Sequence, residues 1–150
     1  MSGVSRDGGV LDGFHVGWVP EGTGDAVSDF ASEWEDVQFT TRVWERQTAD
    51  GYRVDLRVHV LRGERLTDLD ALRTFLAEYH ERDLALWHLT DFPHDDGPGL
   101  LGEAQAFWLP APGAAVNVLV DPERFDAVTL QTVARAVTPQ RESERMSDTR

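Results

Sequence analysis

The sequence predicts an α+β domain: an antiparallel sheet of about six strands with two main helices packed on one face. Three observations carry this. Two strand-like runs, "VQFTTRVWER" and "YRVDLRVHVLR", flank Asp50-Gly51, a strong two-residue hairpin signal. The stretch "TDLDALRTFLAEYHE" places Leu69, Leu72, Phe75, Leu76 and Tyr79 on one helical stripe. The order of elements along the chain then reads strand, hairpin, helix, strand, hairpin, helix, with no internal repeat that would imply an array.

Residues 1–12 are rich in Gly and Ser and are expected to be loose. "GFHVGWVP" alternates Phe14, Val16 and Trp18, the pattern of a first strand closed by Pro20. An acidic connector follows over 25–36, carrying Asp25, Asp29, Glu33, Glu35 and Asp36; Phe30 and Trp34 are spaced for a short helical turn. If Asp50-Gly51 forms the central turn, Val43 faces Val58 and Thr41 faces Val60 on one side. Arg46 then faces Asp55, Trp44 faces Arg57 and Arg42 faces His59 on the other. Thr67 with Asp70 resembles a capping box at the start of the first helix. Further strands are expected over 86–92, 100–109 and 114–120, the last two joined by "PAPG". A second helix, capped by Asp126, presents Leu130, Val133, Ala134 and Val137 and stops at Pro139. One domain therefore spans 13–138, and 139–150 is a polar tail.

At 150 residues the chain can bury a core without disulfides, and it has no Cys, which removes thiolate chemistry and Cys-ligated zinc. Twenty-seven acids against fourteen basic residues give a net charge of −13. That balance opposes nucleic acid and anionic membrane surfaces as partners. No apolar run has the length of a membrane span, and the first residues lack the pattern of a secretory signal, so a cytoplasmic location is expected. All fourteen basic residues are Arg, as codon bias in a GC-rich bacterial genome would give.

"TDFPHDDGPGLLG" (90–102) gathers His94, Asp95 and Asp96 beside Asp91, a composition shared by cation sites and tight turns. Calcium needs about six to eight oxygens, and the spacing is not that of an EF-hand. Zinc would need His94 to be joined by distant ligands such as His80, His88 or Glu103. A turn is the expected reading, with no metal or other cofactor. No nucleophile elbow, zinc-protease signature or phosphate-cradling glycine loop is present, so catalytic residues are not assigned.

"GPGLLGEAQAFWLPAPGAAVNVLVDPERFDAVTLQTVARAVT" resembles the closing module of lipoprotein-carrier-like and MucB-like domains, which also occur in uncharacterised bacterial regulatory proteins. Gly102, Trp108, 116–120 and 130–137 follow that order, and "GFHVGWVPEG" resembles the entry strand. A looser resemblance, through "WVPEG" and the long hairpin, is to Mog1/PsbP-like domains. Both resemblances imply a binding module, and neither supplies catalytic residues.

The unusual feature is a basic, aromatic face on the central hairpin: Arg42, Trp44, Arg46, Arg53, Arg57 and His59, with Asp55 the lone acid. It fits a solvated face with local pairs such as Arg46–Asp55. It equally fits pairing with the acidic connector, within one chain or across a homodimer. It also fits docking of a partner protein or anionic ligand, since Trp and Arg are enriched at binding hot spots. The expectation is a non-catalytic contact or regulatory module that uses these residues toward another protein or a second copy of itself. The alternative is a small-molecule binder or small enzyme with a cavity between sheet and helices, lined by Trp18, Phe75, Tyr79 and Trp108.

Overall fold

The computed structural model describes residues 6–140; the expectations for 1–5 and for 141–150 lie outside the described residues. The fold is α+β and antiparallel throughout, but with ten strands in two sheets among the described residues. The larger sheet contains β3 (Ala26–Trp34), β4 (Val37–Thr48), β5 (Gly51–Arg62), β6 (Thr90–Asp91), β7 (Gly99–Leu101), β8 (Gln105–Ala111) and β9 (Ala114–Val120). Its strand order is β3-β4-β5-β9-β8-β7-β6. The smaller sheet has β2 (Phe14–Val16) between β1 (Gly9–Leu11) and β10 (Val137–Pro139). Residues 9–11, expected to be loose, are thus tied into β1, and Arg6 bridges Val19.

The helices lie on opposite faces of the large sheet, not on one. α1 (Leu69–Tyr79) packs Leu72, Phe75 and Leu76 against Val37, Phe39, Leu61, Phe107, Leu109 and Ala115. α2 (Ala127–Arg135) packs Leu130, Val133 and Ala134, together with the small sheet, against Leu56, Val58, Val60, Trp108, Val116 and Val118. The reason lies in the strands. β9 is apolar at every position but Asn117, and β5 buries Leu56, Val58 and Val60 toward one face and His59 and Leu61 toward the other, as strands covered on both faces do. Each large side chain moved out of water stabilises by about 1.5–3 kcal/mol, so neither face can be left bare. Asp68 caps α1 by accepting from the Ala71 amide, and Asp126 caps α2 by accepting from that of Thr129.

The long hairpin forms where expected but turns one residue early, at Ala49-Asp50, with Gly51 at φ 121° opening β5. Only glycine takes that angle without strain. Thr48 faces Gly51 and Arg46 faces Arg53; a β-bulge then leaves Asp55 as an extra residue, and beyond it Trp44 faces Leu56 and Arg42 faces Val58. The expected Val43–Val58, Thr41–Val60, Trp44–Arg57 and Arg42–His59 pairings are therefore not made. The offset puts Arg42 and Trp44 on one face and Arg57 and His59 on the other. The second half differs as well. A single 3-10 turn (Leu84–Leu86) and β6 replace the strand expected over 86–92, and 100–109 divides into β7 and β8.

Candidate functional site

The 25–36 stretch, read as a connector with a helical turn, is mostly a strand. β3 runs antiparallel to β4 from Ala26↔Glu45 to Trp34↔Val37 and forms one edge of the large sheet. The two strands are joined by Glu35-Asp36, both at positive φ (52° and 65°), as a two-residue I′ turn requires. Such a loop closes on a pair that exchanges both backbone bonds. Trp34, Ser32, Phe30, Ser28 and Ala26 therefore bond inward to β4. Val27, Asp29, Ala31 and Glu33 turn their N–H and C=O groups outward, and no described residue pairs with them. Seven consecutive residues of β3 are exposed, including Phe30 at 52% and Val27 at 49%.

This edge is held at its start and in mid-strand. At its start, the Asp55 side chain, thrown inward by the bulge and fully buried, accepts from the Gly24 amide at 2.9 Å. It also accepts from Arg46 Nε at 3.0 Å and from Arg124 at 2.9 Å. Gly24 has no room for a side chain there, because a Cβ would sit 2.0 Å from the Glu45 carbonyl oxygen. Asp121 extends the network, lying 3.7 Å from Arg46 and 3.3 Å from Arg53, which also donates to Glu123. In mid-strand, Arg42 donates two bonds to Asp29, both 2.7 Å, and a third to the Gly8 carbonyl. Those bonds hold the Asp29 carboxyl below its ordinary range.

The hairpin residues expected to form one contact face are thus distributed. Arg42, Arg46 and Arg53 are engaged by acids of the same chain. Trp44 is 2% exposed, in the core beneath the small sheet, and makes no cation–π contact with Arg57. His59 is buried on the α1 side and hydrogen-bonds Thr41. Arg57 has no carboxylate within ion-pair reach among the described residues. The Arg46–Asp55 pair forms, but through the bulge rather than through direct opposition.

The residues proposed to line a cavity also separate. Trp18 and Trp108 lie on the α2 side, Phe75 and Tyr79 on the α1 side. In the 90–102 loop, His94 and Gly97 close a tight turn around Asp95-Asp96. The His94 ring stacks on Trp108 at 4.2 Å and donates through Nε2 to the Ala134 carbonyl, while Nδ1 accepts from the Asp96 amide. Both ring nitrogens are committed to backbone partners, so the donor chemistry a metal needs is already used. His94 is a peg tying this loop to α2.

Val27 and the outward backbone of β3 were not singled out in the sequence, and Phe30 was read as part of a helical turn, not as an exposed strand residue. The signal that would have found them is "EWEDVQF", an apolar pair around two acids. It lacks the glycine that marks most I′ turns, and Asp is the side chain that best tolerates αL after Asn and Gly. Compared with family models, with curated proteins and with solved structures, the chain matches none.

Proposed function

We propose that this protein is a non-catalytic, cytoplasmic protein-contact module that accepts an extended segment of a partner as an added strand alongside β3. The observation that carries this reading is the row of outward N–H and C=O groups on Val27, Asp29, Ala31 and Glu33, unpaired among the described residues. Natural sheets usually blunt so long an edge with prolines, bulges or a covering element, because it is a template for pairing. Strand addition uses such an edge: main-chain bonds supply affinity and side chains supply choice.

The strand's chemistry describes the partner. Phe30 and Val27 give one exposed apolar anchor on each face of the sheet. Asp25, Glu33, Glu35 and Asp36 make the rim acidic, and the chain carries −13 overall. A basic segment with alternating apolar residues is therefore the favoured occupant over a second copy. The binding-module resemblance of the closing sequence is consistent with this role. The hairpin arginines frame the contact: Arg42 steadies Asp29, and Arg46 with Asp55 anchors the start of β3.

Ala31→Pro removes one outward donor without touching an inward bond, which edge strands tolerate. Capture from lysate of the native host should yield a protein retained by the wild type and lost at least about tenfold with Ala31→Pro, at similar thermal stability. Retention should also weaken as salt rises from 0.05 to about 0.5 M, since an acidic edge meets a basic segment. A captured set indifferent to both the substitution and salt would sink the reading.

A further inference from the structure

Near the tip of the β4–β5 hairpin, a cleft of about 470 Å³ opens beside the start of β3. Ala26, Glu45, Gln47 and Tyr52 line it, with Thr23 and Asp25 at the entry to the strand. The register explains why these residues meet. Ala26 faces Glu45 and Gln47 faces Tyr52, while Glu45 and Gln47 stand two apart on β4. All four side chains therefore lie on one face of the sheet, the face of Phe39 and α1.

This cleft has the charge of a cation site. Glu45 is half-buried and has no cation within ion-pair reach among the described residues. Asp25 is fully exposed and lies 3.8 Å from Arg6. Arg46 borders the cleft, but its guanidinium is engaged by Asp55 and Asp121. The Tyr52 ring is 59% exposed, and an aromatic face attracts ammonium and guanidinium groups. Thr23 is only 4% exposed, yet its Oγ1 is buried without a hydrogen-bond partner. An orphan acceptor of that kind is uncommon in a folded chain, and here its residue belongs to the lining of an open cleft.

The cleft is continuous with the β3 edge. A strand added there sets one residue opposite Ala26, with its side chain on the same face. Neighbouring strands lie about 4.8 Å apart, so the Cα of that residue is about 10 Å from the Cα of Glu45. Only the Ala26 methyl stands between them. A lysine or arginine leaning over that methyl spans the gap and meets the Glu45 carboxylate; a short side chain does not.

We infer that this cleft receives a lysine or arginine of the added strand and so fixes the strand's register on β3. Its role depends on the strand addition proposed above, and it specifies which residue goes where. Glu45 takes the charge, Tyr52 lies against the apolar stem, and Asp25 marks the lip. Phe30 stands four residues beyond Ala26 on the same face and is exposed. The partner's apolar residue that packs on Phe30 is therefore four positions from its basic one. The occupant has a basic residue and an apolar residue separated by three others, in one chain direction or the other.

Random nine-residue peptides, the length of β3, displayed on phage and selected on the full chain provide the test. Enriched peptides should carry Lys or Arg four positions from an apolar residue and should be lost with Ala31→Pro. Changing that Lys or Arg to Met should weaken a synthetic peptide about fivefold on the wild type at low salt, the upper range for a pair near the surface. On Glu45→Gln the same change should cost less than about twofold, because the coupling is gone. Tyr52→Ala should reduce the preference in the same direction. Two results would overturn the role of the cleft and leave strand addition standing. One is a set of peptides lost with Ala31→Pro that has no basic position. The other is a basic residue that matters equally on the wild type and on Glu45→Gln. Peptides indifferent to Ala31→Pro, or no enrichment at all, would overturn strand addition and the cleft's role with it.

Discussion

Asp55→Asn is expected to lower unfolding free energy by about 3–5 kcal/mol, the cost of removing one partner from a buried ion pair. The Asp55 carboxylate receives the Gly24 amide, Arg46 and Arg124 and has no solvent contact. Asparagine keeps the shape but offers one acceptor oxygen and turns an NH₂ group toward cationic donors. The partners differ in exposure. Arg46 and Arg124 side chains are 26% and 29% exposed, so water partly replaces what either loses. Arg46→Met and Arg124→Met should each cost less than Asp55→Asn. Urea denaturation of the three variants at neutral pH checks the order. Equal and small losses, below about 1 kcal/mol, would place the network among surface pairs of little worth.

The second large effect is acid sensitivity above the carboxylate range. Burial, and then the charges of Arg57 and His80, push the His59 pKa from 6.5 down to about 3; burial, Arg82 and Arg57 take His80 to about 4. In both cases the unfolded chain binds protons that the folded chain refuses. The stability these rings support is complete above pH 6.5 and is lost as pH falls from 6.5 toward 3. At pH 5 the loss from His59 is about 2 kcal/mol, since each pH unit is worth about 1.4 kcal/mol. His80, nearer the surface, adds a smaller, screened share. Urea denaturation at pH 7.5 and pH 5.0, in buffer free of carboxylate and phosphate, should show this decline. His59→Asn keeps a polar group beside Thr41 but cannot titrate, so its decline should be smaller by about 2 kcal/mol. Identical declines would mean that His59 is not held neutral.

These two effects arise where pattern alone misleads. Strands β4, β5 and β9 and both helices were legible because their signals are local. Asp126 heads one apolar stripe as read; the other begins at Asp68, not at the expected Thr67, whose pairing with Asp70 is not the cap. The strands are β-branched runs broken by turn residues. Register was not local. Placing the turn at Asp50-Gly51 instead of Ala49-Asp50 shifts the partners by two and keeps the faces; missing the bulge at Asp55 is what put Trp44 and Arg42 on the same side as Arg57 and His59. A bulge has no sequence signature of its own, yet it makes an apparent surface acid into the buried centre of an ion network. The helices were assigned to one face for a related reason. Alternation in β5 looks amphipathic only if Arg57 and His59 face water, and His59 does not. β3 was hidden because "AVSDFASEW" has little β propensity and gains its strand character from pairing with β4. Of the β3 edge, the sequence revealed the acidic charge but not the open backbone.

Amide hydrogen exchange along β3, read residue by residue by NMR, tests the open edge most directly. The isolated chain should exchange in alternation: rapid at Val27, Asp29, Ala31 and Glu33, slow at Ser28, Phe30 and Ser32, whose amides bond β4. Adding the partner captured in an Ala31-dependent way should slow the first set and leave the second unchanged. Uniform protection in the isolated chain, or rapid exchange at the outward amides with that partner saturating, would contradict an edge that receives a strand.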